Sequence, residues 1–341
     1  MIQAGKHTVD LATQVALEAF KVGADPAILY ESDEYFYGQF KHLTEDQLRK
    51  TSAHCLGIAD YAQSYVWIGG VENPAPMRRV PKNKWSAMFQ GEEAHYRKNL
   101  EKKQKQVNVA LGAVTRARAK TYGFTFAKWK RMVEEAIATD YPSIRRTGAV
   151  LSGLFQRPAE VRVRADNGTD LRFRLAGESR TPFVDDGIIG DEDLAVGNTT
   201  TSLPAGAVYV APVEDSAKGT VVSDVRIPQV GTLIEGLAWT FRDGRVVDFA
   251  AKRNLQNAQL NYAAGTGAKD MFGAFGIGLN RKIVPGYLDS FYARGTVSIG
   301  IGDNQSFGGA NTSSYGFNAY NSHATVTIDG KPIVEEGRLA A

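Results

Sequence analysis

A chain of 341 residues is long enough for two domains of ordinary size, and 43% hydrophobic with 23% charged side chains allows a sizeable core. The 40 Lys and Arg nearly balance 37 Asp and Glu, and a net charge of +3 argues neither for nor against nucleic acid. Cys55 is the only cysteine, which excludes an intrachain disulfide and a thiolate-rich metal site.

The chain opens Met1-Ile2-Gln3-Ala4-Gly5-Lys6, without the charged-then-apolar pattern of a signal peptide. No apolar run approaches the roughly 20 residues of a membrane span. The expectation is a cytoplasmic protein that neither enters a membrane nor binds nucleic acid.

Apolar residues recur at three- and four-residue spacing from Val9, and Gly23 is a natural stop, which predicts a helix. Ala27 to Tyr30 follows as a short strand. Thr44 caps a helix predicted over Gln47 to Ala62, and Tyr65 to Gly70 reads as a strand ending in a turn. This alternation predicts a parallel, doubly wound α/β layer. From Trp85 to Ala138 the chain is mostly helical and basic, and the interspersed Glu92, Glu93 and Glu101 mark a solvated helix surface rather than a phosphate track.

After Pro158 the period becomes two. Val161 to Leu175 is a hairpin about Asn167-Gly168, and Asp-Gly turns follow at Asp243-Gly244 and Asp329-Gly330. The fold class expected is an α/β doubly wound N-terminal domain over residues 1–155 and a mainly β C-terminal domain over residues 156–341.

Four segments in order carry a resemblance: Asn167 to Gly177, Leu203 to Thr220, Gly276 to Asn280 and Gly295 to Asn304. Together they resemble the thermophilic aminopeptidases, two-metal peptidases of the aminopeptidase T and S type. The same fold class includes an iron-dependent dioxygenase of dihydroxypyridine, so fold is not function here. The resemblance implies an apolar strand before the first helix, which in this chain looks shortened or absent. It also implies homodimers.

A two-metal hydrolase needs carboxylates and imidazoles around cations roughly 3.5–4 Å apart. The positions that the resemblance assigns to metal ligands hold Ala207, Ala274, Phe291, Ser298, Gly316 and Asn318. Gln305 stands where the family has a catalytic phenol. The dioxygenase's iron ligands fall on Ala274, Gly316 and Asn318. Alanine and glycine have no donor, and serine and asparagine are weak neutral ligands. The expectation is no metal and no cofactor.

Several residues remain as candidates for other chemistry. His323, Lys252 and Tyr315 are candidate catalytic groups. Lys252, Ser298, Gln305, Tyr315 and Asn318 are candidates to line a neutral-to-basic pocket for a peptide or a small anionic or amide-bearing ligand. Glu214-Asp215-Ser216 is read as structural, because successive strand positions face opposite ways. Gly300-Ile301-Gly302 lacks the strand–helix context of a dinucleotide fingerprint. Three functions stay open: a non-peptidase binding protein using the old cleft, a metal-independent enzyme there, or a structural homo-oligomer.

Overall fold

The computed structural model describes residues 1–284 and 290–340. They form two units, one of residues 1–137, 199–204 and 230–232, the other of residues 138–198, 205–229 and 233–341.

The first unit is built on a parallel sheet. Its elements are β1 (Ile2–Gly5), α1 (Val9–Lys21), β2 (Ile28–Glu31), α2 (Asp33–His42), α3 (Glu45–Leu48), α4 (Ala53–Tyr61), β3 (Ser64–Ile68), α5 (Lys82–Gly91), α6 (Glu93–Glu101), β4 (Lys105–Val109), α7 (Arg116–Thr121) and α8 (Phe126–Ile137). The strand order is β2-β1-β3-β4, and the strand Thr200–Leu203 (β8) completes the sheet beside β4.

The first strand, expected to be shortened or absent, is present as four residues. Ile2 to Gly5 pairs in parallel with both β2 and β3. Four residues suffice because both edges are paired and Ile2 and Ala4 pack against Ala12 and Ala16 of α1. Gly5 is required where the chain turns, since a Cβ there would lie 2.9 Å from the Gly70 carbonyl and closer to the His7 ring. The helix expected over Gln47 to Ala62 is two helices, α3 and α4. The Thr51 hydroxyl in the break donates to the Gly91 carbonyl at 2.5 Å, which fixes the chain away from helical geometry. The basic region from Trp85 also contains a strand, β4.

The first helix of the second unit is α9 (Tyr141–Phe155), a segment that the sequence reading placed in the first domain. Next come β5 (Pro158–Ala165), β6 (Thr169–Ala176), β7 (Phe183–Asp185), α10 (Asp191–Ala195), β9 (Ala207–Val210), β10 (Lys218–Val222), and the short β11 (Ile227–Gln229) and β12 (Thr232–Ile234). The chain continues through β13 (Ala238–Arg242), β14 (Arg245–Ala250), α11 (Leu255–Ala264), β15 (Phe272–Gly278), β16 (Val297–Gly302), β17 (Gly316–Asn321), β18 (Thr325–Ile328), β19 (Lys331–Glu335) and β20 (Arg338–Leu339).

Two antiparallel sheets result, one ordered β14-β13-β10-β6-β5-β18-β19-β20 and one β17-β16-β15-β9-β7. The period of two sets the core. Leu171, Phe173 and Leu175 of β6 are buried while Asp170, Arg172 and Arg174 are exposed. Phe173 meets Phe272 and Phe275 at 4.9 and 5.1 Å between ring centroids, and Phe155 of α9 reaches Phe275 at 5.1 Å. Each such ring contributes about 1.5–3 kcal/mol by burial. Both Asp-Gly hairpins form, with positive φ at Asp243, Gly244, Asp329 and Gly330, as a tight turn matching strand twist requires. No helix among the described residues is long and apolar enough to cross a membrane.

Candidate functional site

The second face of the five-stranded sheet is made of small residues. Register pairs Gly278 with Ala207, Gly276 with both Tyr209 and Ser298, and Ser298 with Tyr320. The next row runs Ala274, Gly300, Asn318, and then Gly302 meets Gly316. Because side chains alternate, these residues share one side, and Val208, Phe275, Ile277, Val297, Ile299 and Ala319 share the other, toward the core. Five of the six positions compared with metal ligands, Ala207, Ala274, Ser298, Gly316 and Asn318, thus lie on one face. Phe291, the sixth, stacks on Tyr320 of that face with centroids 5.4 Å apart.

The space over the face is filled from within the unit. A Cβ on Gly276 would lie 2.5 Å from Cε1 of Tyr209, so the tyrosine ring covers that glycine. Phe307 packs on Tyr209 at 5.6 Å. A Cβ on Gly300 would lie 3.0 Å from the Ala274 methyl and would strike Oδ1 of Asn318. Beside Ala207, Asp185 is buried and accepts a 2.5 Å hydrogen bond from the Tyr292 hydroxyl. The Ser298 hydroxyl is buried without a hydrogen-bond partner.

The loop after β16 is tied down by Glu214. Its carboxylate accepts from Arg180 at 2.9 Å, Asn304 at 3.2 Å and the Ala310 amide at 2.8 Å. Burial alone would disfavour its charge, but the Ala310, Asn304 and Arg180 contacts outweigh that and hold its pKa below the ordinary value. The Asn304 side chain also donates to the Gly273 carbonyl, and Asn311 donates to that of Phe272. Glu214 ties the loop down from the helical turn Glu214–Ser216, not from the strand that the sequence reading assumed. Gln305 begins the helical turn Gln305–Phe307 on this loop and is exposed.

The candidate residues do not converge. Ser298 and Asn318 lie on adjacent rows of the small-residue face, with Gln305 on the loop beyond. Tyr315 is buried in an aromatic cluster, 5.5 Å from Tyr262 and 6.2 Å from Phe317 between ring centroids, on the side opposite Ser298. Burial, with Tyr262 nearby, pushes its phenol far above the ordinary value, so it is no base at neutral pH. Lys252 is exposed, its stem lying over Gly236. His323 is exposed and meets Asp224 at 2.8 Å and the Ser322 hydroxyl at 3.0 Å, both through Nδ1. A nucleophile–base–acid relay needs the serine and the carboxylate on opposite ring nitrogens, so these three do not form one.

Sequence reasoning missed Tyr209, whose ring covers Gly276, and the Tyr292–Asp185 pair, whose hydrogen bond joins residues far apart in the chain. It also passed over a cavity in the first unit lined by Glu31, Trp67 and Glu92. The signal for that cavity was polar Gln3 and Gln106 inside parallel strands, which normally read as continuous apolar runs.

Comparison with known proteins places this geometry. The family model for thermophilic metalloproteases (M29) matches residues 143–283. No curated protein matches the chain. Among solved structures, wild-type AmpT from Thermus thermophilus aligns with a TM-score of 0.71 at 18% identity, covering 100% of this chain and 93% of that one. The 2,5-dihydroxypyridine dioxygenase from Pseudomonas putida KT2440 aligns with a TM-score of 0.59 at 13% identity, covering 100% and 91%.

Two-metal chemistry needs anionic oxygens or imidazoles on the small-residue face, and the residues there do not fit it. No three His, Cys, Asp or Glu side chains among the described residues are placed to hold a metal ion. The chain thus carries the thermophilic metalloprotease signature over residues 143–283 and has the fold of aminopeptidase T, with a donor-poor face where the resemblance puts the metal ligands.

Proposed function

We propose that this chain is an aminopeptidase-like protein that no longer performs two-metal peptide hydrolysis and that uses the old cleft for binding. One observation carries the reading. Ala207, Ala274, Ser298, Gly316 and Asn318 share a sheet face whose space is taken by the Tyr209 ring and the Asn318 amide. A single lost ligand leaves a weakened enzyme; replacement along a whole face removes the carboxylates that would hold either cation and lower the pKa of attacking water. What stays accessible is the β17 edge of the face, the exposed Gly316 and the half-buried Asn318, whose side-chain amide suits an amide-bearing ligand.

The alternative of metal-independent catalysis by His323, Lys252 and Tyr315 draws no support from their positions, which lie on separate surfaces or in the core. The test is metal analysis of the purified protein together with hydrolysis of aminoacyl fluorogenic substrates in the presence of zinc, cobalt, manganese or magnesium. The reading expects no stoichiometric metal and no turnover above the uncatalysed rate. A stoichiometric divalent ion accompanied by turnover that a chelator abolishes would sink it.

A further inference from the structure

The two faces of the parallel sheet in the first unit differ. One face carries Ile2, Ala4, Val66, Ile68 and Val109 and packs on α1. The other, read from the register, carries Gln3, Glu31, Tyr65, Trp67 and Gln106. A parallel sheet covered on both sides ordinarily has apolar residues on both. Here the helices α2 to α6 stand off the polar face and leave a cavity of about 990 Å³, at the upper end of small-molecule sites.

The cavity walls are themselves held in place. Lys98 and Lys102 of α6 donate to the Leu56 and Ala59 carbonyls of α4 at 2.9 and 2.8 Å. Trp67 donates to the Gln106 side chain at 3.2 Å and stacks on Tyr65 at 5.5 Å. Within this frame Glu31 and Glu92 both line the cavity, and neither carboxylate makes a hydrogen bond or an ion pair to a described residue. Glu92 stays accessible to water although protein surrounds it, as a side chain does at the wall of a deep recess. Burial, and then the charge of Glu31, raises its pKa to about 7. Asn99, only 3% exposed, also lines the cavity, and its Oδ1 has no partner.

These acceptors call for a cation. The lining has three carboxylates, Glu31, Glu34 and Glu92, against Lys50 and the histidines His42, His54 and His95; burial raises the Glu31 pKa and His54 works against that rise. A metal ion wants several such ligands at one point, and no three His, Cys, Asp or Glu among the described residues converge that way. An ammonium group has three donors to offer Glu31, Glu92 and Asn99, and an attached apolar body finds Trp67, Leu48 and Met88 on the walls. We propose that this cavity binds a small organic ammonium compound, its charged head between Glu31 and Glu92 and its body along Trp67. The site is separate from the small-residue face of the second unit and stands or falls apart from the function proposed above.

Cys55 makes the test possible in the unmodified protein. It lines the cavity and is the only thiol in the chain, so its alkylation by N-ethylmaleimide reports occupancy. The probes are phenethylamine, 1,5-diaminopentane and tetramethylammonium at millimolar concentration, with 3-phenylpropionate and phenethyl alcohol as charge-inverted and neutral controls. At least one cation is expected to slow Cys55 alkylation several-fold while both controls leave it unchanged. The double variant E31Q/E92Q, checked for folding by circular dichroism, is expected to bind the same cation about tenfold or more weaker, while E101Q binds like the parent. Protection by no cation, equal protection by the controls, or undiminished affinity in the double variant overturns the proposal. Stoichiometric zinc or manganese binding lost in the double variant overturns the assignment to an organic cation.

Discussion

Placing a methyl group on Gly276 tests whether the small-residue face is filled by Tyr209. The new Cβ of G276A would lie 2.5 Å from Tyr209 Cε1, closer still to Cδ1, and 3.1 Å from the Val208 carbonyl. Real Cβ atoms do not approach ring carbons that closely, so the ring must swing away and give up its contact with Phe307 at 5.6 Å. Overpacking of this kind costs about 1–3 kcal/mol. Truncation in Y209A removes the obstacle at its own cost of about 2–4 kcal/mol. The two changes therefore do not add: G276A made in the Y209A background is expected to cost about 1 kcal/mol or less, a coupling of about 1–2 kcal/mol. Thermal unfolding followed by near-ultraviolet circular dichroism reads it, at about 2–4 °C per kcal/mol for a unit of this size. Equal losses in both backgrounds would refute the idea that the ring covers the glycine.

Three further outcomes follow from other sites. S298A should be neutral or stabilising by up to about 1 kcal/mol, because the buried hydroxyl gives up no hydrogen bond; a clear loss in urea unfolding would reveal a partner. E214Q should cost about 2–4 kcal/mol at neutral pH by stranding Arg180 and loosening the loop of Gln305. The folded-state pKa of Glu214 lies below its ordinary 4.5, so its contribution is complete above that value. The gap between E214Q and the parent should then narrow as pH falls below 4.5, and a gap that stays constant speaks against the ionised contact. Glu92 has the opposite sign. Its pKa rises from 4.5 to about 7, so ionising it costs stability as pH climbs through that window. E92Q should gain over the parent between those pH values and hold the gain above, by about 1–2 kcal/mol after allowing for water in the cavity. Equal melting temperatures for E92Q and the parent at pH 5 and pH 8 would contradict the raised pKa of Glu92.

The β-rich half was the more legible in sequence. A period of two exposes itself over short spans, as in Leu171, Phe173 and Leu175, and an Asp-Gly pair announces positive φ at both of its residues. The first strand was hard to read because Ile2 to Gly5 is a strand by virtue of two partners far along the chain rather than by its own composition. The break between α3 and α4 rests on the bond from Thr51 to Gly91, which no local pattern contains. For the site, the positions that the resemblance compares with metal ligands fall mostly on one sheet face, while the pocket read from sequence grouped Tyr315 with Asn318. Alternation alone separates them, since Tyr315 is an odd number of positions from Asn318 and faces the aromatic core. The cavity in the first unit escaped notice because it is a property of how five helices stand off a sheet.

The pairing of β4 with β8 has a consequence for synthesis and for dissection. The outer edge of β4 waits for Thr200–Leu203, a segment made only after α9 and the hairpin of β5 and β6 have emerged. Until then the first unit presents an unpaired parallel edge, the kind of surface that other strands add to. A fragment ending at Ile137 keeps that edge permanently open, and any study of the organic-cation cavity in isolation must carry the returning strand with it. The sheet of the first unit is thus closed only by residues that interrupt the second unit in sequence, after part of that second unit has been made.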